Sequence, residues 1–564
     1  MALLSNAILA TLVLTATAVL LPKLTGVLLG LVFRGVGWLI WRRTRSRREY
    51  VIARARSEEE ELRASRPKGS TLSRNGAEDE DWEKVDSSGT GGVQTTAGSG
   101  SSSGSGNESY ESPEDWDGII GFFHPFCNAG GGGERVLWEA IRATQKRWPK
   151  AICAIYTGDH EVNKATMLEK VENRFNIRLH APTVVLLYLT TRKYVVSSSY
   201  PYMTLLGQSL GSLIVAYDAF TLLVPDVFVD TMGYAFTLAL CKWFFPRIPV
   251  GAYVHYPTIS TDMLASLDDK SGVQGINSGA GRGWKGKTKR RYWEIFAKLY
   301  GWVGRQVDVV MCNSSWTAAH IRTLWGTAAT GVHHRRRWCF PQTAVTELQS
   351  NIVVDTDSEK TRQPVLLYIA QFRPEKNHPL VLRSFARFLQ ERTNNPAYEG
   401  QPPPRLVLIG SVRHSSPDET HIYNLRLLAH ELRIRDHTTF LCDASWPVML
   451  SHLRTASVGV NAMWNEHFGI CVVEYQAAGL ICVTHDSGGP REDIVVDLGD
   501  GATGFRAETE EQFAASFEAA LALPEAEKLA MRQRARRSAQ RFTEEEFSRK
   551  WLDQVQKLVK ASTV

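Results

Sequence analysis

The chain lacks the cysteine and metal-binding patterns that mark several protein classes. Its 8 cysteines, spread over 564 residues, form no Cys-x-x-Cys pair. This spacing argues against a zinc site and against a disulfide framework, and it suits a reducing compartment. The acidic pairs Asp79–Asp81 and Asp355–Asp357 fall in a predicted linker and a predicted loop. We therefore expect no essential divalent cation and no cofactor.

A strong net charge is also absent. Lys and Arg exceed Asp and Glu by only 6 residues, and this mild excess does not by itself indicate a nucleic-acid partner. Basic residues are instead clustered, for example in the segment Arg282–Trp293, where they alternate with aromatic residues. That segment is compatible with a solvated loop, with anionic lipid headgroups or with a lipid-linked diphosphate. We expect membrane lipids rather than nucleic acid as a partner.

An uncharged apolar segment, Leu3–Leu21, opens the chain and is long enough to span a bilayer. A cleaved signal peptide is the competing interpretation, but a basic N-terminal region and a clear small-residue cleavage site are missing. Five arginines follow between Arg42 and Arg48, and by the positive-inside rule they place the rest of the protein in the cytosol. We predict a retained membrane anchor over residues 1–41, with a second apolar run, Leu24–Phe33, in the membrane interface.

The next segment is predicted to be a linker. It begins with the basic residues and continues from Ser57 with acidic and then Ser/Gly-rich sequence, which cannot bury enough apolar surface to fold. From Ile119 onwards, short apolar strands alternate with helical stretches, and the alternation restarts at Val365 after a poorly patterned stretch around residues 326–350. This alternation predicts an α/β fold, with two parallel sheets that are each covered by helices.

Two doubly wound, Rossmann-like domains that face a cleft are therefore expected. The predicted divisions are a linker over residues 42–117, a first domain over 118–350, a second domain over 351–540 and a C-terminal helix over 541–564. The very apolar segment Tyr200–Phe245 is interrupted by Asp and Pro residues. Because charges in a spanning helix are costly, we interpret it as buried β-α-β sequence with one surface facing the bilayer.

The most informative motif contains two carboxylates eight positions apart, Glu466 and Glu474, on either side of a glycine turn and a helix start. The amides of Phe468, Gly469 and Ile470 are expected to be unpaired donors at the positive end of the helix dipole, which suits a phosphate. Glu474 is then placed to reach a ribose, and Glu466 to lie near a transferred group. A pair of surface carboxylates is the alternative interpretation.

Three further loops are candidates for the site. The glycine run at Gly130, Gly131, Gly132 and Gly133 follows the first strand and allows close approach to a diphosphate or a sugar; a flexible turn is the alternative. His255 ends a strand and is expected to point into the cleft, although a structural histidine has the same pattern. Arg373 and Lys376 follow the first strand of the second domain and suit a leaving diphosphate, and a solvated turn is the alternative.

These motifs together resemble the retaining GT-B glycosyltransferases that carry a Glu-x7-Glu motif. Among these enzymes, the chain resembles the α-1,2-mannosyltransferases of asparagine-linked glycosylation in the endoplasmic reticulum. The resemblance covers roughly residues 118–560 and is most specific in four segments: Phe122–Trp138, Tyr253–Ser260, Gln371–Lys376 and Glu466–Glu474. The chain departs from the family at Gln371, where related transferases have a diphosphate-binding Arg, and at Gly331–Pro341, where a Tyr-Pro-Pro loop is usual.

The resemblance implies GDP-mannose as the donor and dolichol-diphosphate-linked Man3GlcNAc2 and Man4GlcNAc2 as acceptors on the cytosolic face of the endoplasmic reticulum. It also implies catalytic roles for Glu466, His255 and Lys376, donor binding by Arg373, Lys376 and the helix start, and other mannosyltransferases of the pathway as partners. Two alternatives remain open at this point. One is another membrane-bound GT-B transferase, an α-1,3/1,6-mannosyl or phosphatidylinositol N-acetylglucosaminyl transferase, and the other is a catalytically inactive membrane scaffold.

Overall fold

The computed structural model describes residues 2–65, 115–267, 283–326, 337–341, 343–413 and 416–563, with side chains from residue 25 onwards except at positions 337 and 338. Within these residues the chain forms two parallel sheets, each with helices on both faces. Every recorded strand pair is parallel. The predicted α/β architecture of two Rossmann-like domains is thus confirmed.

The first sheet has the strand order β3-β2-β1-β4-β5-β6-β7 in the described part of the chain. Its strands are β1 Ile119–Phe123, β2 Ile152–Thr157, β3 Val184–Tyr188, β4 Val227–Asp230, β5 Val250–Val254, β6 Val309–Cys312 and β7 Arg337–Trp338. Its helices are α1 Ala2–Ala64, α2 Gly132–Arg147, α3 Lys164–Phe175, α4 Thr204–Leu222, α5 Ala235–Phe244, α6 Thr261–Ala265, α7 Gly283–Gly304 and α8 Ser315–Trp325. The central strands are buried along their whole length because helices cover both faces of the sheet.

The second sheet has the order β10-β9-β8-β11-β12-β13 over the described residues. Its strands are β8 Gln363–Ile369, β9 Arg405–Gly410, β10 Thr438–Cys442, β11 Ala456–Asn461, β12 Ile481–His485 and β13 Gly504–Ala507. The helices are α9 Val345–Asn351, α10 Thr356–Thr361, α11 His378–Thr393, α12 Pro417–Glu431, α13 Trp446–Thr455, α14 Ile470–Ala478, α15 Glu510–Ala522, α16 Glu525–Ala539 and α17 Glu544–Thr563.

Two strands were not predicted from the sequence. The edge strand β13 contains only one buried residue, Ala507, so it lacks the continuous apolar run that marks the inner strands. The two-residue strand β7 pairs with β6 through Met311–Arg337 and Cys312–Trp338. It lies inside the unusual segment Gly331–Pro341, of which residues 331–336 are outside the described residues.

Helix α1 is longer than expected and packs on the first domain. Arg48 pairs with Asp226 at 2.6 Å, and a side chain on Gly37 would collide with the backbone of Phe244. Near its end, Glu58 binds Lys164 at 2.7 Å. The prediction that the tether begins at Ser57 is therefore wrong for residues 57–64, because ion pairs to the domain hold this acidic stretch in a helix. Residues 66–114 of the predicted linker lie outside the described residues.

The segment Tyr200–Phe245 folds as α4, β4 and α5, so it is part of the first domain, as predicted. The predicted order β-α-β is wrong, because a single strand, β4, lies between two helices. The C-terminal helix α17 returns to the first domain, where Trp551 Nε1 donates to Thr144 Oγ1 at 3.1 Å and the Glu544 carboxylate pairs with Arg142 at 2.7 Å. Its buried residues Phe547, Trp551, Val555 and Leu558 belong to the hydrophobic core of that domain.

Candidate functional site

Lys376 and Glu466 meet at the carboxyl edge of the second sheet. Lys376 ends a short turn after β8, and Glu466 lies in the loop between β11 and α14. Strands β8 and β11 are neighbours, so the loops that follow them lie side by side. Lys376 Nζ is 2.6 Å from Glu466 Oε2 and 3.1 Å from Met463 Sδ. The structure therefore brings together two of the predicted site residues.

The Lys376–Glu466 pair is charged although it is buried. Burial opposes the carboxylate, but the ammonium of Lys376 and the amide of Asn461, 3.4 Å away, hold the pKa of Glu466 below its ordinary value. Burial likewise opposes the ammonium, and the Glu466 carboxylate outweighs it and raises the pKa of Lys376. The pair thus offers one positive and one negative charge in a place where water screens them little.

Helix α14 begins beside this pair with Gly469, whose φ of 106° favours glycine. In the described part of the chain, the amides of Phe468, Gly469 and Ile470 have no hydrogen-bond acceptor. Unpaired amides at a helix N-terminus, next to an ammonium group, form a site for an anion. This is the arrangement that the sequence predicted for these three residues.

Glu474 lies on α14 and faces the first domain. Its Oε1 atom is 3.7 Å from Arg135 NH1, on helix α2. Burial raises the pKa of Glu474, and Arg135 partly offsets this effect. The carboxylate is therefore in the cleft, where the sequence placed it, but it contacts a guanidinium group that the sequence reasoning did not consider.

The glycine run lies against residues of both domains. Gly131 N donates to Glu134 Oε2 at 2.6 Å and so caps α2, and Gly130 has a φ of 73°. A side chain on Gly132 would come within 2.7 Å of Ile470 Cδ1, and one on Gly133 within 3.7 Å of His255 Nε2. The run is therefore a close-packed part of the cleft, where side chains would separate the two domains.

His255 directly follows β5 and is half-buried. Its Nε2 atom has no partner among the described residues. Burial, with the nearby His124, lowers the pKa of His255 to about 4. The imidazole is therefore neutral near pH 7 and has one ring nitrogen free to bind a polar group in the cleft.

Aromatic and polar contacts also join the two domains near the Glu466 loop. His467 stacks on Tyr256 with ring centroids 4.1 Å apart, and burial lowers the pKa of His467 to about 4. Asn465 Nδ2 donates to Asp262 Oδ2 at 2.7 Å. Sequence reasoning assigned no role to these residues, although Asn465 and His467 flank Glu466 in the motif that it singled out.

His124 and Glu134 were also missed. His124 follows β1 and is buried, with Nδ1 2.8 Å from Thr231 Oγ1 and Nε2 3.6 Å from Glu134. Both residues lie in the quoted glycine-loop motif, so their position after a strand was the available signal. Arg373, unlike these two residues, was predicted from the sequence. Its Nε atom lies 3.9 Å from Asp418 Oδ2, and the same aspartate also binds Arg413.

The basic segment Arg282–Trp293 is described from residue 283 onwards, and there it belongs to helix α7. Gly281–Thr288 has the spacing of a phosphate-binding P-loop. Its residues from Gly283 onwards lie in the helix α7, whereas a P-loop holds a phosphate with non-helical backbone, and residues 281 and 282 lie outside the described residues. Among the described residues, His, Cys, Asp and Glu side chains form no group of three or more that could hold a metal. Metal independence remains a prediction.

Two sequence profiles match the chain. Residues 117–325 match the family described as ALG11 mannosyltransferase N-terminus, and residues 354–541 match Glycosyl transferases group 1. The fold also resembles Anabaena Alr3699/HepE, solved with UDP and glucose, with a TM-score of 0.52, 13% identity and coverage of 77% of this chain and 98% of that chain. A sucrose-phosphate synthase from Thermosynechococcus elongatus gives a TM-score of 0.55 at 15% identity, covering 79% and 100%. The chain is a glycosyltransferase of the GT-B class.

Curated relatives define the family within this class. The GDP-Man:Man(3)GlcNAc(2)-PP-Dol alpha-1,2-mannosyltransferase of Neurospora crassa is 53% identical over 545 residues, which is 95% of this chain and 94% of the relative. The Homo sapiens protein of the same description is 44% identical over 446 residues, covering 78% and 87%. The chain belongs to the family of GDP-Man:Man(3)GlcNAc(2)-PP-Dol alpha-1,2-mannosyltransferases.

Proposed function

We propose that the protein transfers mannose from GDP-mannose, in α-1,2 linkage and with retention, to dolichol-diphosphate-linked Man3GlcNAc2 and then to the Man4GlcNAc2 product. The printed descriptions of the relatives support the donor, the first acceptor and the linkage. The observation in this chain that carries the proposal is the buried Lys376–Glu466 pair beside the open amides of α14. This arrangement suits a sugar that is activated by a diphosphate.

The donor would lie on the second domain. Its diphosphate would accept from the amides of Phe468, Gly469 and Ile470 and would pair with Lys376, with Arg373 at its outer side. Glu474 would bind the ribose hydroxyls. Because Glu474 contacts Arg135 across the cleft, the carboxylate would exchange this guanidinium contact for hydroxyl groups when the nucleotide binds.

The mannose would lie between Glu466 and His255. The bond from its C1 to the phosphate oxygen breaks, and a bond from C1 to the acceptor 2-hydroxyl oxygen forms on the same face. The acceptor proton passes to the departing phosphate oxygen. Glu466 stabilises positive charge that develops on the sugar, and Lys376 stabilises negative charge on the diphosphate. Neutral His255 positions a sugar hydroxyl through its free Nε2 atom.

The glycine run would line the acceptor side of the cleft. Gly132 and Gly133 approach Ile470 and His255 so closely that closure of the domains would leave little room for water. Exclusion of water protects an activated sugar from hydrolysis, so the acceptor is preferred as the nucleophile. No metal is required, since the charges on the diphosphate are met by Lys376, Arg373 and backbone amides.

The membrane setting follows from α1. Its segment Thr25–Ala64 is one of two described helices that are long and apolar enough to cross a membrane, and Thr204–Leu222 is the other. We assign α1 alone as the anchor, because α4 packs into the first domain through buried residues such as Val215 and Phe220. By the positive-inside rule, the arginines after residue 41 support a cytosolic position of both catalytic domains at the endoplasmic reticulum, where other mannosyltransferases of the pathway would be partners.

A direct test uses the purified full-length protein in lipid nanodiscs with radiolabelled GDP-mannose and a synthetic lipid-linked trimannosyl acceptor. We expect two successive additions, each removed by an α-1,2-specific mannosidase, and an undiminished rate in excess EDTA. UDP-sugars should give no product. Transfer from a UDP-sugar, products resistant to the mannosidase, or no transfer at all would contradict the proposal.

A further inference from the structure

Arg135 places a guanidinium group of the first domain in the cleft. The residue lies in the first turn of α2, its side chain is 14% exposed, and its NH1 atom is 3.7 Å from Glu474 Oε1. This distance allows an ion pair but is too long for a hydrogen bond. Arg135 Nε is also buried without a hydrogen-bond partner among the described residues. A buried donor without a partner is costly, so this group is suited to a ligand that brings oxygen acceptors into the cleft.

The starts of α2 and α14 face each other across the cleft. An added Cβ atom on Gly132 of α2 would lie 2.7 Å from Cδ1 of Ile470 on α14, and one turn further along each helix Arg135 approaches Glu474. Arg135 therefore meets α14 about one helical turn, roughly 5.4 Å, beyond the open amides at its start. A change of side-chain rotamer is enough to bring the guanidinium to an anion that is bound on those amides.

The basic residues of the second domain at this place already face carboxylates. Lys376 Nζ is 2.6 Å from Glu466 Oε2. Arg373 Nε is 3.9 Å from Asp418, which also binds Arg413 at 2.7 Å. These carboxylates offset part of the positive charge that a diphosphate would otherwise meet. A further cation from the opposite side of the cleft would therefore strengthen the binding of a diphosphate.

A guanidinium group matches this ligand better than it matches Glu474. Its planar fork of N–H donors can bind two phosphate oxygens at once, and such charge-assisted hydrogen bonds are among the strong ones. Its contact with Glu474 is a single long ion pair. When Glu474 turns to the ribose hydroxyls, Arg135 loses its counter-charge as the diphosphate arrives beside it. The exchange replaces a long ion pair by hydrogen bonds to phosphate.

We propose that Arg135 is a catalytic residue of the first domain, whose guanidinium passes from Glu474 to the diphosphate of the bound nucleotide sugar. There it stabilises the negative charge that grows on the phosphate oxygen while the bond from this oxygen to the sugar C1 breaks. The guanidinium donates hydrogen bonds and neither gains nor loses a proton, since the proton of the acceptor hydroxyl passes to the departing phosphate oxygen. Because Arg135 belongs to α2, the same contact holds the two domains together around the donor. This inference rests on the proposed function.

Nucleotide binding to the purified full-length protein in nanodiscs tests the exchange without requiring transfer. The affinities for GDP and for guanosine are compared in wild type and in Arg135→Met, which keeps an apolar stem and removes the charge. We expect Arg135→Met to weaken GDP binding by about 10–100-fold, the effect of losing hydrogen bonds to a charged group. Guanosine should bind at least as well as to wild type, because its ribose no longer competes with Arg135 for Glu474. A change by the same factor for both ligands, or no change for either, would overturn the proposal.

Arg142 provides the matched control. It lies about two turns further along α2, its side chain is 17% exposed, and it pairs with Glu139 and Glu544 at 2.7 Å. Arg142→Met should lower the thermal midpoint and leave the affinities of the folded protein for GDP and guanosine unchanged. Arg135→Lys keeps a charge but loses the planar fork, so it should show the same selective loss of GDP affinity to a smaller extent. This variant carries the test if Arg135→Met does not fold.

Kinetics of mannose transfer test the catalytic role itself. Arg135→Met should lower kcat by about 10²–10³-fold, as expected for the loss of one group aimed at developing charge. Added guanidinium ion, at concentrations too low to denature the protein, should restore part of kcat in Arg135→Ala and have no such effect in Arg142→Ala. Full kcat in Arg135→Met, or an equal response of both Ala variants to guanidinium, would contradict the role of Arg135.

Failure of this inference and failure of the proposed function give different results. Wild-type protein that binds no GDP, or that transfers no mannose, would contradict the proposed function. Wild-type protein that does both, alongside Arg135 variants with unchanged kcat and unchanged GDP affinity, would contradict only the role of Arg135.

Discussion

The Lys376–Glu466 pair provides the sharpest test, because removing either partner should affect stability and transfer for separable reasons. Replacing Lys376 by Ala leaves the carboxylate of Glu466, only 8% exposed, without its counter-charge. Loss of one member of a buried pair costs about 3–5 kcal/mol, and the cleft position of the pair favours the lower value. For a domain of this size, about 3 kcal/mol lowers the unfolding midpoint by roughly 6–12 °C.

The double variant Lys376→Ala/Glu466→Ala removes both charges and should be more stable than the sum of the two single changes predicts, by about 0.5–3 kcal/mol. Transfer should not recover in the same way. Loss of one preorganised group aimed at charge that develops in the transition state costs about 10²–10³-fold in rate, so both single variants and the double variant should be nearly inactive. Unfolding is followed by circular dichroism in detergent, and transfer is measured as initial rate per folded molecule.

Arg532 and Glu359 provide the matched control. They form a pair at 2.8 Å that is buried to a similar degree in the same domain, and Arg532 also donates to backbone carbonyls of Ser457 and Gly479. Glu359→Ala should destabilise the protein to a comparable extent and leave transfer per folded molecule within a few-fold of wild type. Full transfer by Lys376→Ala or Glu466→Ala, or strictly additive stabilities in the cycle, would refute the reasoning.

Three further outcomes are expected. Burial lowers the pKa values of His255 and His467 to about 4 in the folded protein, whereas a histidine in the unfolded chain has a pKa of about 6.5. The neutral imidazoles therefore contribute fully to the stability of the folded protein above about pH 6.5. Stability should therefore fall as pH drops from about 6.5 towards 4, and a thermal midpoint in His255→Asn with the same pH dependence as wild type would contradict this. Glu474→Ala should raise the KM for GDP-mannose by about 10–100-fold, the effect of losing hydrogen bonds to a charged group, whereas an unchanged calorimetric affinity for GDP would exclude the ribose role. Gly132→Val should hinder closure of the two domains, because the new side chain would collide with Ile470, and the rate of transfer should fall. Adding Ile470→Ala to this variant should restore part of the rate. Full activity of Gly132→Val alone would show that the domains do not close at Gly132.

Local sequence predicted the elements that carry the site. Runs such as Ile119–Phe123 and Arg405–Gly410 are strands in the structure with the expected bounds, because a parallel sheet covered on both faces requires continuous apolar residues. The turn at Gly469 and the position of Lys376 after β8 were also predictable from the sequence nearby. A glycine with positive φ before a helix, and a polar residue after a strand, each have a local signature.

Only the tertiary structure decided which residues face each other across the cleft. Arg135 and Glu474 are 339 positions apart, and Trp551 of the last helix packs on Thr144 of the first domain. Contacts at such separations depend on how the two sheets are placed, and periodicity within a short window carries no information about that placement. The sequence by itself therefore determined the two sheets and the helix start with its free amides. The partner of Glu474 and the surroundings that lower the pKa of His255 arose from packing between distant segments.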